Sequence, residues 1–108
     1  MAFKGTLAAV VYVNFNGSGT VSIRASENVS SITDNGTGDY TVNFSSSIGT
    51  ADYCTLCTCS DPGTANIGTN IKTDTTPTAS LVRVSSARLY QSTHNPTIFC
   101  VAIFGDAT

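Results

Sequence analysis

Hydrophobic and polar residues alternate along most of this chain. Residues 40–44 are the clearest case: Tyr40, Val42 and Phe44 take one phase, Thr41 and Asn43 the other. A period of two marks an extended strand with one face buried and one face wet. The same period predicts strands over residues 7–14, 20–24, 29–32, 51–60, 80–90 and 97–104. Turn signals separate them. Asn16-Gly17-Ser18-Gly19 and Asp34-Asn35-Gly36-Thr37-Gly38-Asp39 carry residues that accept positive φ, so the first two strands are expected to pair as a hairpin. Residues 61–78, rich in Pro, Gly and Asn, read as one long surface loop. No 3.6-residue period follows a capping box. The expected fold is a single all-β domain over residues 1–108, an antiparallel β-sandwich or barrel-like fold of about 6–8 strands with little or no helix.

One strand departs from simple alternation. Ile98, Phe99, Val101, Ile103 and Phe104 make residues 97–104 apolar in both phases. Such a strand is expected at the centre of a sheet or at an interface.

Composition sharpens this picture. Charged residues are 11% of the 108 positions and hydrophobic residues 41%. An ordinary soluble domain carries about 25% charged residues. Ser, Thr, Asn and Gly supply the polarity instead, so the surface is hydrated but nearly uncharged. The net charge of −2 gives no electrostatic reason to bind nucleic acid or an anionic membrane. It also supplies little repulsion between copies, which favours self-association. No apolar run approaches the roughly 18 residues that cross a bilayer. The opening MAFKGTLAAVVYVNF reads as a strand and not as a signal peptide, so synthesis in a reducing cytoplasm is expected. The N-x-S/T triplets at Asn16, Asn28, Asn35 and Asn43 then carry no glycan, and reflect only the richness in these residues.

Chemistry is sparse. CTLCTC, residues 54–59, holds three of the four cysteines; Cys100 is the fourth. In a strand, Cys57 and Cys59 point to one face and Cys54 to the other. A tetrahedral zinc site needs four ligands at about 2.3 Å for sulfur, and Thr55 and Leu56 favour a strand over the turn a zinc knuckle requires. A disulfide from Cys57 or Cys59 to Cys100 is the second alternative, disfavoured by the compartment. The reading preferred on residues alone is a strand carrying reduced thiols. His94, the only histidine, lies in a turn with no local nucleophile signature. The carboxylates Glu27, Asp34, Asp39, Asp52, Asp61, Asp74 and Asp106 fall mostly in turns, without a calcium-loop pattern. Gly17, Gly19, Gly36 and Gly38 are turn residues and match no phosphate loop. No catalytic, cofactor-binding or metal-binding residues are assigned.

Residues 13–44, VNFNGSGTVSIRASENVSSITDNGTGDYTVNF, resemble a module of tail-fibre and related virion proteins of tailed bacteriophages, especially those of cyanobacteria and marine bacteria. Asn14-Phe15-Asn16-Gly17, Thr20-Val21-Ser22-Ile23-Arg24 and the run from Asn28 through Gly36 to Phe44 carry the likeness, and residues 97–105 look like the module's closing strand. The resemblance implies a non-enzymatic virion structural protein, a receptor-binding-like module acting as a homotrimer through β surfaces and loops. Implied partners are itself, other virion proteins and a host surface glycan or protein contacted by loops 61–78 and 91–96. The implied location is the virion, at the tail or the capsid surface, after synthesis in the bacterial cytoplasm. The alternatives within this class are a capsid cement or decoration protein, reaching onto the capsid through residues 1–7, and a tail adaptor. A tail-associated polysaccharide depolymerase would need paired carboxylates in a groove, for which so short a fold leaves little room.

Overall fold

A computed structural model of the chain describes residues 9–60, 67–88 and 95–105. Eight strands form in these residues and no helix does: β1 (Val11–Asn16), β2 (Ser22–Glu27), β3 (Val29–Gly36), β4 (Asp39–Phe44), β5 (Cys54–Cys59), β6 (Ile67–Ile71), β7 (Leu81–Arg88) and β8 (Phe99–Phe104). They make two four-stranded antiparallel sheets. The front sheet has the order β2-β1-β8-β5 and the back sheet β3-β4-β7-β6. The all-β sandwich expected from the alternation is the fold observed.

Strands β1 to β4 follow the expected hairpins. Ser18 donates its amide to Asn16 Oδ1 (2.9 Å), closing the first turn, and Gly19 takes φ 65° beside it. Gly36 and Gly38 take φ 137° and 68° in the second, where Asp34 Oδ1 accepts the Gly36 amide (3.0 Å). Between the two hairpins the chain changes sheets at Asn28, a non-glycine residue at φ 58°. Its side chain holds the bend from both sides: Asn28 Nδ2 donates to Ser46 O (3.1 Å) and Ser46 N donates to Asn28 Oδ1 (2.8 Å). Asparagine tolerates the left-handed region because its short amide can satisfy the local backbone.

The expected loop over residues 61–78 is corrected. Ile67–Ile71 forms β6, pairing with β7, and Thr78 bridges to Leu81. Alternation there is thin because Gly68, Thr69 and Asn70 separate two isoleucines. An edge strand with a neighbour on one side needs fewer apolar residues than a central one. Residues 61–66 lie outside the described residues. From β5 in the front sheet the chain crosses to the back sheet, where β6 and β7 pair, and β8 returns to the front sheet between β1 and β5.

The core fills the space between the sheets. Val11, Val13 and Phe15 of β1 and Phe99, Val101 and Ile103 of β8 meet Tyr40, Val42 and Phe44 of β4 and Val82 and Val84 of β7. Every second residue of β1, β4 and β8, and of β7 as far as Ser86, is therefore inside, as the two-residue period requires. Phe15 and Phe99 stack at 5.2 Å, and the Tyr40 ring meets both edge-on at 5.1 and 5.7 Å. Such pairs add roughly 0.5–1.5 kcal/mol each beyond the area they bury.

Candidate interface on the front sheet

Alternation places the other half of the front-sheet residues outside. On β8 these are Cys100, Ala102 and Phe104, with Ile98 just before the strand in the same phase. On β5 they are Cys54, Leu56 and Thr58, and on β1 Tyr12 and Asn14. Register aligns them into rows. Tyr12, Ala102 and Leu56 lie side by side across β1, β8 and β5, and Asn14, Cys100 and Thr58 form the next row. Large side chains on the outer strands and small ones at the centre leave a groove of about 460 Å³, in which Tyr12, Asn14, Ala25, Leu56, Thr58, Cys100 and Ala102 take part. Leu56 is 57% exposed, Tyr12 42%, Phe104 41% and Ile98 44%. Single exposed apolar residues are ordinary, but this set is contiguous.

Three of the four strands bring no charge to this face. Strands β1, β8 and β5, VYVNFN, FCVAIF and CTLCTC, contain no Asp, Glu, Lys or Arg. The nearest charges are on β2, at the rim. Arg24 lies at the irregularity in the β1–β2 register, and its guanidinium donates to Asn14 Oδ1 (3.1 Å) and Thr97 O (2.6 Å). Glu27 sits opposite Tyr12.

The outer face of the back sheet has the opposite character. Asn43 Nδ2 donates to Thr33 Oγ1 (2.9 Å) and Ser31 Oγ (3.2 Å), and Asn35 Nδ2 donates to Thr41 Oγ1 (2.8 Å). Asp39 accepts two hydrogen bonds from Arg83, Nε at 2.8 Å and Nη2 at 2.7 Å, with Lys72 Nζ at 3.8 Å. These Arg83 hydrogen bonds hold the Asp39 carboxyl below its usual range, with the positive charges of Arg83 and Lys72 adding to the effect against its partial burial. Its polar groups are matched to one another. One sheet is finished for solvent and the other is not.

Orientation divides the four cysteines between the two faces of the sheet. Cys57 and Cys59 pack toward the core, while Cys54 and Cys100 face outward. All four are thiols. The expected division of Cys54 from Cys57 and Cys59 holds; a bond from Cys57 or Cys59 to Cys100 would have to pass through the sheet. Among the described residues no group of three His, Cys, Asp or Glu side chains could hold a metal ion. His94, Asp61 and Asp106 lie outside the described residues, as do loop residues 91–94 and the N-terminal residues 1–7.

Two tyrosines missed as structural anchors fix the ends of the sandwich. Tyr40 Oη, buried, donates to Gly17 O (2.9 Å) and lies 3.0 Å from Asn95 Oδ1, which also accepts the Gly38 amide (2.9 Å). A side chain at Gly17 would come within 2.8 Å of Tyr40 Cζ and 3.0 Å of Pro96 O. Tyr53 Oη reaches Thr78 O (2.8 Å) and Leu81 O (2.9 Å) at the other end. Burial pushes both phenols up to about 12. In the sequence each sat in a polar neighbourhood that gave no sign of its buried partners.

No family model, no curated protein and no solved structure matches this chain.

Proposed function

We propose that the chain is a non-enzymatic structural protein of a bacteriophage virion, a tail-fibre-like β module that works by packing its sheet surface against other protein. The contrast between the two outer faces supports the packing part of this reading. One face is matched in hydrogen bonds, and the other carries an apolar stretch contiguous across three strands, with Arg24 and Glu27 beside it on β2. A contiguous apolar stretch on a β-sandwich suits permanent contact more than turnover. The virion assignment rests on the likeness of residues 13–44 and 97–105 to tail-fibre modules, which also implies a homotrimer and loops directed at a host surface. Labelling particles with an antibody to this chain tests it. Label at the tail end supports the fibre reading, and label over the head supports the cement or decoration alternative. Particles without this polypeptide would refute both.

A further inference from the structure

We infer that Asn35 is a site of spontaneous covalent modification: its carboxamide cyclises onto the backbone nitrogen of Gly36 and is lost as ammonia, leaving aspartate or isoaspartate. The modification requires nothing of the function proposed above. In the first step the Gly36 nitrogen attacks Cγ of Asn35. The new N–Cγ bond closes an imide ring, the Cγ–Nδ2 bond breaks, and Nδ2 leaves as ammonia with the proton that Gly36 gives up. Water then adds to one of the two imide carbonyls. Opening at Cγ restores the ordinary backbone with a carboxylate side chain, and opening at the main-chain carbonyl leaves the chain running through the side chain. A following residue with a Cβ crowds this approach, and glycine does not.

The chain holds two Asn-Gly pairs, Asn16-Gly17 and Asn35-Gly36, and the fold treats them oppositely. Gly17 is buried, its amide donates to Pro96 O (2.9 Å), and its carbonyl accepts the Tyr40 hydroxyl (2.9 Å). A Cβ placed there would press on Tyr40 Cζ at 2.8 Å. Asn16 Oδ1 is itself held by the Ser18 amide (2.9 Å). Ring closure at Asn16 therefore needs the first turn to come apart, leaving the Pro96 carbonyl without its donor.

Asn35 and Gly36 are both exposed. Among the described residues no atom lies within 4 Å of the place a Gly36 Cβ would take. The β3–β4 register also slips at Asn35, between the Asp34–Tyr40 and Gly36–Asp39 pairs, so this residue is the one the ladder leaves unpaired. Its carboxamide donates to Thr41 Oγ1 (2.8 Å) and Asp39 Oδ1 (3.5 Å), and the Gly36 amide donates to Asp34 Oδ1 (3.0 Å). All three bonds are at the surface, where water takes over from a lost partner at small net cost. The product turns the donor to Thr41 into an acceptor. It also sets a new carboxylate beside those of Asp34 and Asp39, in a chain of net charge −2.

Ageing the full chain at mildly alkaline pH tests this, with anion exchange to separate the more acidic form and peptide mapping by mass spectrometry to place the change. In the folded chain Asn35 is expected to convert more than about tenfold faster than Asn16. In urea, where only the shared Asn-Gly sequence remains, the two rates are expected to converge. Asn35→Gln, whose longer side chain closes the ring poorly, is expected to lose the acidic form. Asn16 converting as fast as Asn35 in the folded chain overturns the inference. So does an Asn35 that persists when folded, because the hairpin would then protect it. A tenfold gap that survives in urea also overturns it, by assigning the difference to flanking residues and not to the fold. An acidic form that builds up unchanged in Asn35→Gln does the same. None of these results bears on where antibody labels a particle, so the two proposals fail separately.

Discussion

Cys57 and Cys100 lie back to back through the front sheet: Cys57 packs toward the core, and Cys100 looks out from the middle of β8. Sequence spacing put both on neighbouring strands and left a disulfide open. Register decides against it, because Cys100 is paired with Thr58 and Cys57 with Val101. Successive residues of a strand face opposite ways, so a one-residue offset separates the two sulfurs by the thickness of the sheet.

Mild oxidation of the native chain is therefore expected to leave Cys57–Cys100 and Cys59–Cys100 unformed. Cys54, exposed, is expected to react first with a bulky thiol reagent. Peptide mapping by mass spectrometry checks both; a native Cys57–Cys100 crosslink would contradict the register.

Tyr40 joins three turns through one hydroxyl. Tyr40→Phe removes its bonds to Gly17 O and Asn95 Oδ1 while leaving the ring stack with Phe15 and Phe99. The expected cost is about 1–3 kcal/mol, because a buried acceptor loses its donor. Urea unfolding measures it. Alkali tests the same site. With folded values near 12 against the ordinary 10.0, Tyr40 and Tyr53 hold their protons more tightly when folded. Their contribution is complete below pH 10 and is lost as pH rises from 10 toward 12. Tyrosinate absorbance from these two is expected to appear together with unfolding in that window, and an earlier appearance would contradict their burial.

Much of this was legible in the sequence, and the reasons for the exceptions are physical. β4 was plain because Tyr40, Val42 and Phe44 all face a dense core. β8 was read as central or interfacial from apolar residues in both phases, and it is central, between β1 and β5. β6 was missed because an edge strand answers to few neighbours. In CTLCTC the thiols are the conspicuous residues, while the informative one for the candidate face is Leu56, an exposed leucine in a strand without charge. What marks that face is the adjacency of three uncharged strands. Their separation along the chain, at positions 11–16, 54–59 and 99–104, hides this from any local pattern.

Asp39 and Arg83 give an acid-side prediction. The folded Asp39 carboxyl titrates below 3.8, so its contribution is present above that value and is lost as pH falls through the lower folded one. Asp39→Asn is expected to be less stable than the parent chain at pH 7, and the gap is expected to narrow below about pH 4. Thermal melts at pH 7, 4 and 2.5 check this; a gap unchanged across the series would mean that charge is not what holds the pair.

Asn28 turns the chain from the front sheet to the back. Asn28→Ala removes both bonds to Ser46 and puts a Cβ-bearing residue without local compensation at φ 58°. The expected cost is about 1–3 kcal/mol. Asn28→Gly, which accepts the backbone but restores no bond, is expected to lose less. Equal loss in the two variants, by urea denaturation, would show that the hydrogen bonds and not the bend carry the effect.

The account turns on the outer face of the front sheet being buried when the protein is at work. A cryo-electron microscopy map of particles containing this chain tests that most directly. The expected map places Leu56, Tyr12 and Ala102 against protein density, with the Asn35–Thr41 and Asn43–Thr33 bonds of the back sheet facing solvent. A map with the front face open to water and the back face in contact would contradict it.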